Sequence, residues 1–302
     1  MLRQFLATEA GRNTAVVVNE FGEVGIDQAL LGPGADKTVL LGNGCLCCVV
    51  RSGLDTTFRQ LFADRARGAV PPFVRVVLET SGADDPSPIL QTFLSERALG
   101  REYHLQSIVA VVDASRGTLS LRQPEARRQV AVADRIVLTK QDLAADAAPA
   151  AAIAEIRELN PHAPIRSAVH GQLPAEFLLE DSPLVPAHGA LTADAGAAHT
   201  RDLTTFTLSF SEPVRWPVLA ATLNLLADLR GDALLRVKGL VAVEGCQGPV
   251  VVQAVQHLLH PPMELEAWPD ADRHSRLVFI TTGLARAHVE ALFDAVTRLT
   301  RR

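Results

Sequence analysis

Lysine is nearly missing from this chain. Of 302 residues only Lys37, Lys140 and Lys238 are lysines, and none of them follows a glycine. That excludes the pattern G-x-x-x-x-G-K-S/T, whose lysine and backbone N–H groups hold the phosphates of a nucleotide. The formal charge is −5 and no basic stripe appears, so no nucleic-acid partner is expected. No stretch approaches the roughly 20 apolar residues that span a bilayer, so no membrane partner is expected either. Met1-Leu2-Arg3-Gln4-Phe5-Leu6 lacks the charged region and long apolar run of a signal peptide. The expected location is therefore cytoplasmic. Cysteine is scarce too, with four in all, and a chain of this length builds its core without disulfide staples.

Three of those four cysteines stand together as Cys45-Leu46-Cys47-Cys48. In a reducing compartment such a cluster points to metal binding or thiol chemistry rather than to a structural disulfide. Spacing i, i+2 puts two side chains on one face of an extended segment, so two or three thiolates can face one ion. Soft thiolates suit Zn²⁺ or Cu⁺, and a tetrahedral zinc needs at least one further ligand, from Glu23, a histidine or a partner protein. A thiol redox centre and plain buried cysteines are the competing readings. Cys246 stands alone and is expected to be a small buried residue. The nine histidines are scattered and read as surface or core residues. His257 and His260 can share a helical face, although Pro261-Pro262 would end any helix there.

The first half alternates short valine- and isoleucine-rich runs with helical stretches. The runs are Ala15–Val18, Val39–Leu41, Val74–Leu78, Ile108–Val112 and Ile136–Leu138. They show little alternation, as strands buried on both faces of a parallel sheet do. Helices are expected near Leu54–Arg67, Pro88–Leu99, Glu125–Ala133 and Ala147–Leu159. This is the pattern of a doubly wound α/β domain over 1–180, whose ligands bind at the C-terminal ends of the strands. A Pro/Gly/Ala-rich linker is expected over 181–202. A smaller α+β domain follows over 203–302. Its expected elements are Thr205–Phe210, a helix near Pro217–Leu229, Leu235–Val243, Val250–Gln256, Glu264–Trp268, Leu277–Thr281 and a helix at Ala285–Leu299. Alternation in the first of these suggests a half-exposed sheet with helices on one face.

Three further motifs sit at strand ends. Asn19-Glu20-Phe21-Gly22-Glu23-Val24-Gly25-Ile26-Asp27 is either a switch loop sensing phosphate or metal, or a polar βα turn. Glu79-Thr80-Ser81-Gly82 places an acid where it can orient water around a nucleotide-bound Mg²⁺, and a glycine where backbone can approach a phosphate. A plain strand-end turn with a helix cap is its rival. In Thr139-Lys140-Gln141-Asp142 the aspartate can accept two hydrogen bonds from a guanine edge, while the lysine stem lies across the base.

In this order the motifs resemble the CobW family of metal-handling GTPases, relatives of the UreG and HypB maturation factors. Arg236-Val237-Lys238-Gly239, Trp268 and Ser275-Arg276-Leu277-Val278-Phe279-Ile280 resemble the family's C-terminal domain. The resemblance implies a P-loop NTPase-like, mostly parallel sheet plus a smaller α+β domain. It implies a GTP-dependent metallochaperone with GTP and Mg²⁺ as cofactors, Zn²⁺ (or Co²⁺) as cargo, and a client metalloprotein as partner; an oligomer is allowed. Cys45, Cys47 and Cys48 would carry the metal, with Glu23 as an additional ligand. Glu79 and Gly82 would sense the nucleotide. Asp142 would read guanine with Lys140 packed on the base beside Thr139. Ser167-Ala168, after a strand at Pro164–Arg166, would add a backbone contact.

One departure stands out. The family's P-loop precedes a segment like Leu2–Leu6, and no spare apolar strand fills its place. A truncated gene product is the expectation, with little or no GTP hydrolysis. A non-hydrolysing metal-binding or storage protein is the alternative, and a thiol redox protein is third.

Overall fold

The computed structural model describes residues 1–18, 38–40, 51–82, 85–95, 99–145, 147–161, 163–179, 198–200, 203–269 and 273–300. It divides into two compact units. The first comprises Met1–Gln129, Arg135–Ala152 and Ile165–Glu180; the second comprises Val130–Asp134, Ile153–Pro164 and Asp181–Arg302.

The first unit holds helix α1 (Leu2–Ala7) and strands β1 (Thr14–Val18) and β2 (Thr38–Leu40). Helix α2 (Arg51–Ala66), strand β3 (Arg75–Glu79) and helices α3 (Ser87–Ser95) and α4 (Leu99–Glu102) follow. Next come β4 (Val109–Asp113), a 3-10 helix (Ala114–Arg122), α5 (Pro124–Val132) and β5 (Arg135–Thr139). A short 3-10 helix (Gln141–Leu143), α6 (Ala148–Leu159), β6 (Ile165–Ala168) and α7 (Ala175–Leu179) complete the run, although the end of α5 from Val130 and α6 from Ile153 are counted in the second unit.

Among the described residues the strand pairs in this unit are parallel, in two sheets ordered β2-β1-β3 and β4-β5-β6. Burial on both faces holds for the central strands. Ala15, Val16 and Val17 of β1 and Ile136, Val137 and Leu138 of β5 are buried. It does not hold for β3 and β4. Val76, Val77 and Leu78 are only half-buried, and Val111 is 54% exposed. The reason is position in the sheet: among the described residues β3 pairs only with β1, and β4 only with β5.

Helix α2 forms because Leu54, Phe58 and Leu61 recur at helical spacing and close over this core. Tyr103 stands edge-on to Phe58, with ring centroids 5.1 Å apart, and donates its hydroxyl to the Phe58 carbonyl at 3.1 Å. Burial pushes the Tyr103 phenol up to about 12. Of the helix expected over Pro88–Leu99, the described residues hold α3 and, from Leu99, α4; 96–98 lie outside them. Val74 lies outside its expected strand and is 80% exposed.

The second unit adds β7 (Ala198–Thr200), β8 (Leu203–Phe210), α8 (Trp216–Arg230), β9 (Leu234–Ala242) and β10 (Pro249–Val255). Short strands β11 (Leu258–Leu259) and β12 (Met263–Glu264), then β13 (Ser275–Thr281) and α9 (Arg286–Leu299), follow. The sheet is antiparallel, ordered β11-β10-β9-β13-β8-β7, with β12 also on β10. Helices α8 and α9 cover one face through Leu219, Leu223, Val289 and Phe293 against Val237, Val252 and Phe279. The Phe206 and Phe279 rings stack at 5.2 Å.

The half-exposed sheet expected here is not found at its centre. From Leu234 to Val241 every residue of β9 is buried. Segments 130–134 and 153–164 belong to this unit and explain the second face. Arg236 Nη1 donates to the Val132 carbonyl at 2.5 Å, and Thr205 Oγ1 to the Leu159 carbonyl at 3.4 Å. Asn160 locks those two segments together. Its amide donates to the carbonyls of Val130 at 2.8 Å and Ala133 at 2.9 Å, and its oxygen accepts from Ala163 N at 3.1 Å.

Two smaller expectations change, and one possibility closes. The strand placed at Glu264–Trp268 ends at Glu264 as β12. His257 lies in the β10–β11 turn, where Gln256 has φ 53, so no helix joins it to His260. Cys246 is exposed, not buried, because it sits in the turn between β9 and β10.

Candidate functional site

The last residues of β4, β5 and β6 stand on one rung. Parallel register pairs Asp113 with Thr139, and Thr139 with Ala168. Thr139 Oγ1 donates to the Val112 carbonyl at 3.2 Å, tying the end of β5 to β4. The next residue, Lys140, turns the chain with φ 56 and ψ 33, a left-handed conformation unusual outside glycine. That turn starts the 3-10 helix and puts Asp142 in its first turn, exposed to solvent. Ligands of open parallel sheets bind at this end of the strands.

Asp113 is the hub of the rung. Its Oδ1 accepts from Ser115 N–H at 2.9 Å and from the Ser115 hydroxyl at 2.6 Å. Its Oδ2 accepts from Lys140 Nζ at 2.7 Å. Burial pushes this carboxyl up, but hydrogen bonds from Lys140 and Ser115, with the lysine charge, outweigh it and hold it below the usual carboxylate range. Sequence reasoning missed both Asp113 and Ser115. The signal was present: the apolar run was read as ending at Val112, one residue short of an acid at the tip of a buried strand.

Ser167 and Ala168 lie inside β6, not after it, and Ala168 is buried. The chain turns only beyond them, where His170 and Gly171 have φ 51 and 76. The strand runs on because Ser167 and Ala168 continue the ladder against Leu138 and Thr139.

Glu79 closes β3 and is exposed, as are Thr80 and Gly82. A Cβ added to Gly82 would meet no atom within 4 Å, so packing does not require glycine there and the approach is open. The Gly82 carbonyl accepts from Gln129 Nε2 at 3.3 Å. Beyond it Asp85 caps α3, accepting from Ser87 N at 2.9 Å, and pairs with Arg128. Burial pushes Asp85 up, but Ser87 and Arg128 prevail and hold it low.

The structure thus brings together Thr139, Lys140 and Ala168, with Asp142 one turn on. Glu79 ends a strand of the other three-stranded sheet, and Gly82 lies in the turn three residues beyond it. Cys45, Cys47, Cys48 and Glu23 lie outside the described residues, as does the loop Asn19–Asp27. Among the described residues, no group of three or more His, Cys, Asp or Glu is placed to hold a metal. No helix among them is long and apolar enough to cross a membrane.

Comparison with known proteins places the chain in a family. The model of the CobW/HypB/UreG nucleotide-binding domain matches residues 1–167. The chain belongs to the CobW/HypB/UreG family. The model of the cobalamin synthesis protein CobW C-terminal domain matches residues 203–297. The chain is 30% identical to the zinc chaperone YjiA of Escherichia coli over 303 aligned positions, covering 99% of this chain and 94% of that one. It is 30% identical to the zinc chaperone CobW of Pseudomonas aeruginosa, covering 96% and 85%. The crystal structure of Zn(II)-bound YjiA GTPase from E. coli superposes with a TM-score of 0.68 at 26% identity, over 98% of this chain and 93% of that one. A Zn(II)-bound triple mutant of YjiA, with one glutamate and two cysteines replaced by alanine, gives 0.67. The fold of this CobW-family chain is accordingly α/β: parallel sheets with helices, plus a domain built on an antiparallel sheet.

Proposed function

We propose that this chain is a zinc metallochaperone of the CobW type whose cargo site is coupled to guanine-nucleotide binding. The observation that carries this is the rung at the ends of β4, β5 and β6, with Lys140 and Asp142 emerging from it, in a chain that also carries Cys-x-Cys-Cys. The names of the relatives support the zinc and the GTPase parts. Thiolate softness favours zinc over cobalt as cargo.

The residues present fit a guanine base. Asp142 is exposed and acceptor-only when ionised, so it takes the two N–H groups of the guanine edge. Lys140 lays its apolar stem over the ring, and the backbone at the end of β6, beyond Ser167 and Ala168, closes the rim. The residues do not fit a triphosphate equally well. The 302 residues contain no G-x-x-x-x-G-K-S/T, and we assign no hydrolysis to them. Glu79 and Gly82 are the groups on which Mg²⁺-bound water and a phosphate would bear. When bound, the nucleotide supplies a switch between two states of the protein. Cys45, Cys47 and Cys48, with Glu23, hold the zinc cargo as thiolates and a carboxylate and pass it to a client metalloprotein in the cytoplasm.

A zinc competition titration against a chromophoric chelator tests the reading. The wild-type chain should bind zinc tightly and the variant with Cys45, Cys47 and Cys48 changed to serine should not. GTP with Mg²⁺ should change the zinc affinity, because coupled ligands affect each other equally. Zinc binding that is lost in the variant but indifferent to GTP would replace the carrier with a second reading, a metal-storage module. That second reading rests on Cys-x-Cys-Cys alone, without the guanine site. A reversible disulfide with no bound zinc would replace both.

A further inference from the structure

We infer that Asp113 is a positioning residue for the base site: anchored by Ser115, it grips the Lys140 ammonium and fixes the lysine stem as the platform on which a purine stacks. The inference rests on the guanine-binding reading of Lys140 and Asp142 above.

Lysine alone makes a poor platform. Its four-carbon stem is flexible and loses much rotamer entropy when a ligand must order it. A stem ordered in advance removes that cost from binding. In this chain three features supply the order. Lys140 has a left-handed backbone that fixes where its Cβ points. Its Nζ is held by Asp113 Oδ2 at 2.7 Å. The other oxygen, Oδ1, takes two hydrogen bonds from Ser115 at 2.9 and 2.6 Å, so the carboxylate cannot swing to follow the lysine.

The tether also spans two strands. Asp113 ends β4 and Lys140 follows β5, and the ladder pairs Asp113 with Thr139 directly. The ammonium is therefore held at the tip of β4, one strand away from the backbone that carries it. The lysine side chain stays 57% exposed, so the platform is open to a ligand. An exposed ion pair is worth little as folding stability. Its effect belongs on the ligand, through the geometry it imposes.

The lysine content makes this directly measurable. With three lysines in the chain, uniformly lysine-labelled full-length protein gives few ε-methylene signals, and Lys140→Arg identifies the one that matters. In the wild type the two ε-protons of Lys140 should be inequivalent, because the stem is held. In Asp113→Asn they should collapse to one shift, and Asp113→Glu should recover part of the difference. Titration with GMP and AMP gives the second arm. Asp113→Asn should weaken both about three- to fivefold, since stacking is tolerant of base identity and the pair is solvent-exposed. It should leave the preference for GMP intact, whereas Asp142→Asn should erase the preference. Equivalent ε-protons in the wild type overturn the inference. So does an Asp113→Asn variant that binds both nucleotides as the wild type does. If the wild type holds Lys140 but does not distinguish GMP from AMP, the guanine reading itself has failed, and the proposal falls with it.

Discussion

Arg236 and Asp134 form a buried ion pair, with Arg236 Nη2 donating to Asp134 Oδ1 and the two side chains only 7% and 8% exposed. The arginine comes from the Arg-Val-Lys-Gly run of β9, and the aspartate immediately precedes β5. The stretch matched by the C-terminal family model is thereby joined to the residue before the strand that ends in Thr139. A second donor, Nη1, satisfies the Val132 carbonyl, so the guanidinium is both paired and hydrogen-bonded.

Breaking that pair on one side should be costly. Asp134→Ala leaves a buried guanidinium without its counter-charge, and an expected loss of about 3–5 kcal/mol follows. Urea unfolding measures it as a lowered midpoint with little change in slope. A loss below about 1 kcal/mol would mean the arginine finds water or another acceptor.

Gly239, two strands deep in the second sheet, should not tolerate a methyl group. A Cβ there would lie 1.8 Å from the Arg276 carbonyl oxygen on β13, a contact that backbone cannot relieve without moving. Gly239→Ala is expected to cost about 1–3 kcal/mol or more. The contrast is Gly82→Ala, where no atom lies within 4 Å and thermal stability should hardly change. Equal melting shifts in the two variants would contradict this.

Asp113 gives a pH signature. Its carboxyl is held below the ordinary value of 3.8. A group depressed in the folded state contributes stability above its unfolded value and loses it as pH falls through the folded one. The wild type should therefore lose melting temperature below pH 3.8 more steeply than Asp113→Asn does. Parallel curves for the two proteins would show that the Ser115 and Lys140 contacts do not bias the carboxylate in solution.

Much of the fold was legible in the chain because parallel strands announce themselves. Ala15–Val18 and Ile136–Leu138 are apolar without alternation, and they are the strands with partners on both edges. Thr139 and Asp142 stood out as candidates because strand ends are where such sheets bind ligands. Asp113 escaped because an acid after an apolar run has no partner in the linear sequence. Lys140 lies 27 positions away, and only the β4–β5 register brings the two within 2.7 Å. Cys246 was misjudged for a related reason. Composition says that cysteines are usually buried, but the turn between β9 and β10 decided otherwise.

The sequence by itself determined the main strands and helices, their order, the family and the candidate residues proposed for metal and base. Those depend on local periodicity and on motifs whose members lie within a few residues of each other. Only the tertiary structure decided that Asp113, Thr139 and Ala168 share a rung, and that Asp113 grips Lys140. It alone decided that both faces of β9 are buried and that Arg236 closes on Asp134. Each of these depends on strand register and on contacts between residues far apart in the chain, where a shift of one position would carry a side chain to the opposite face.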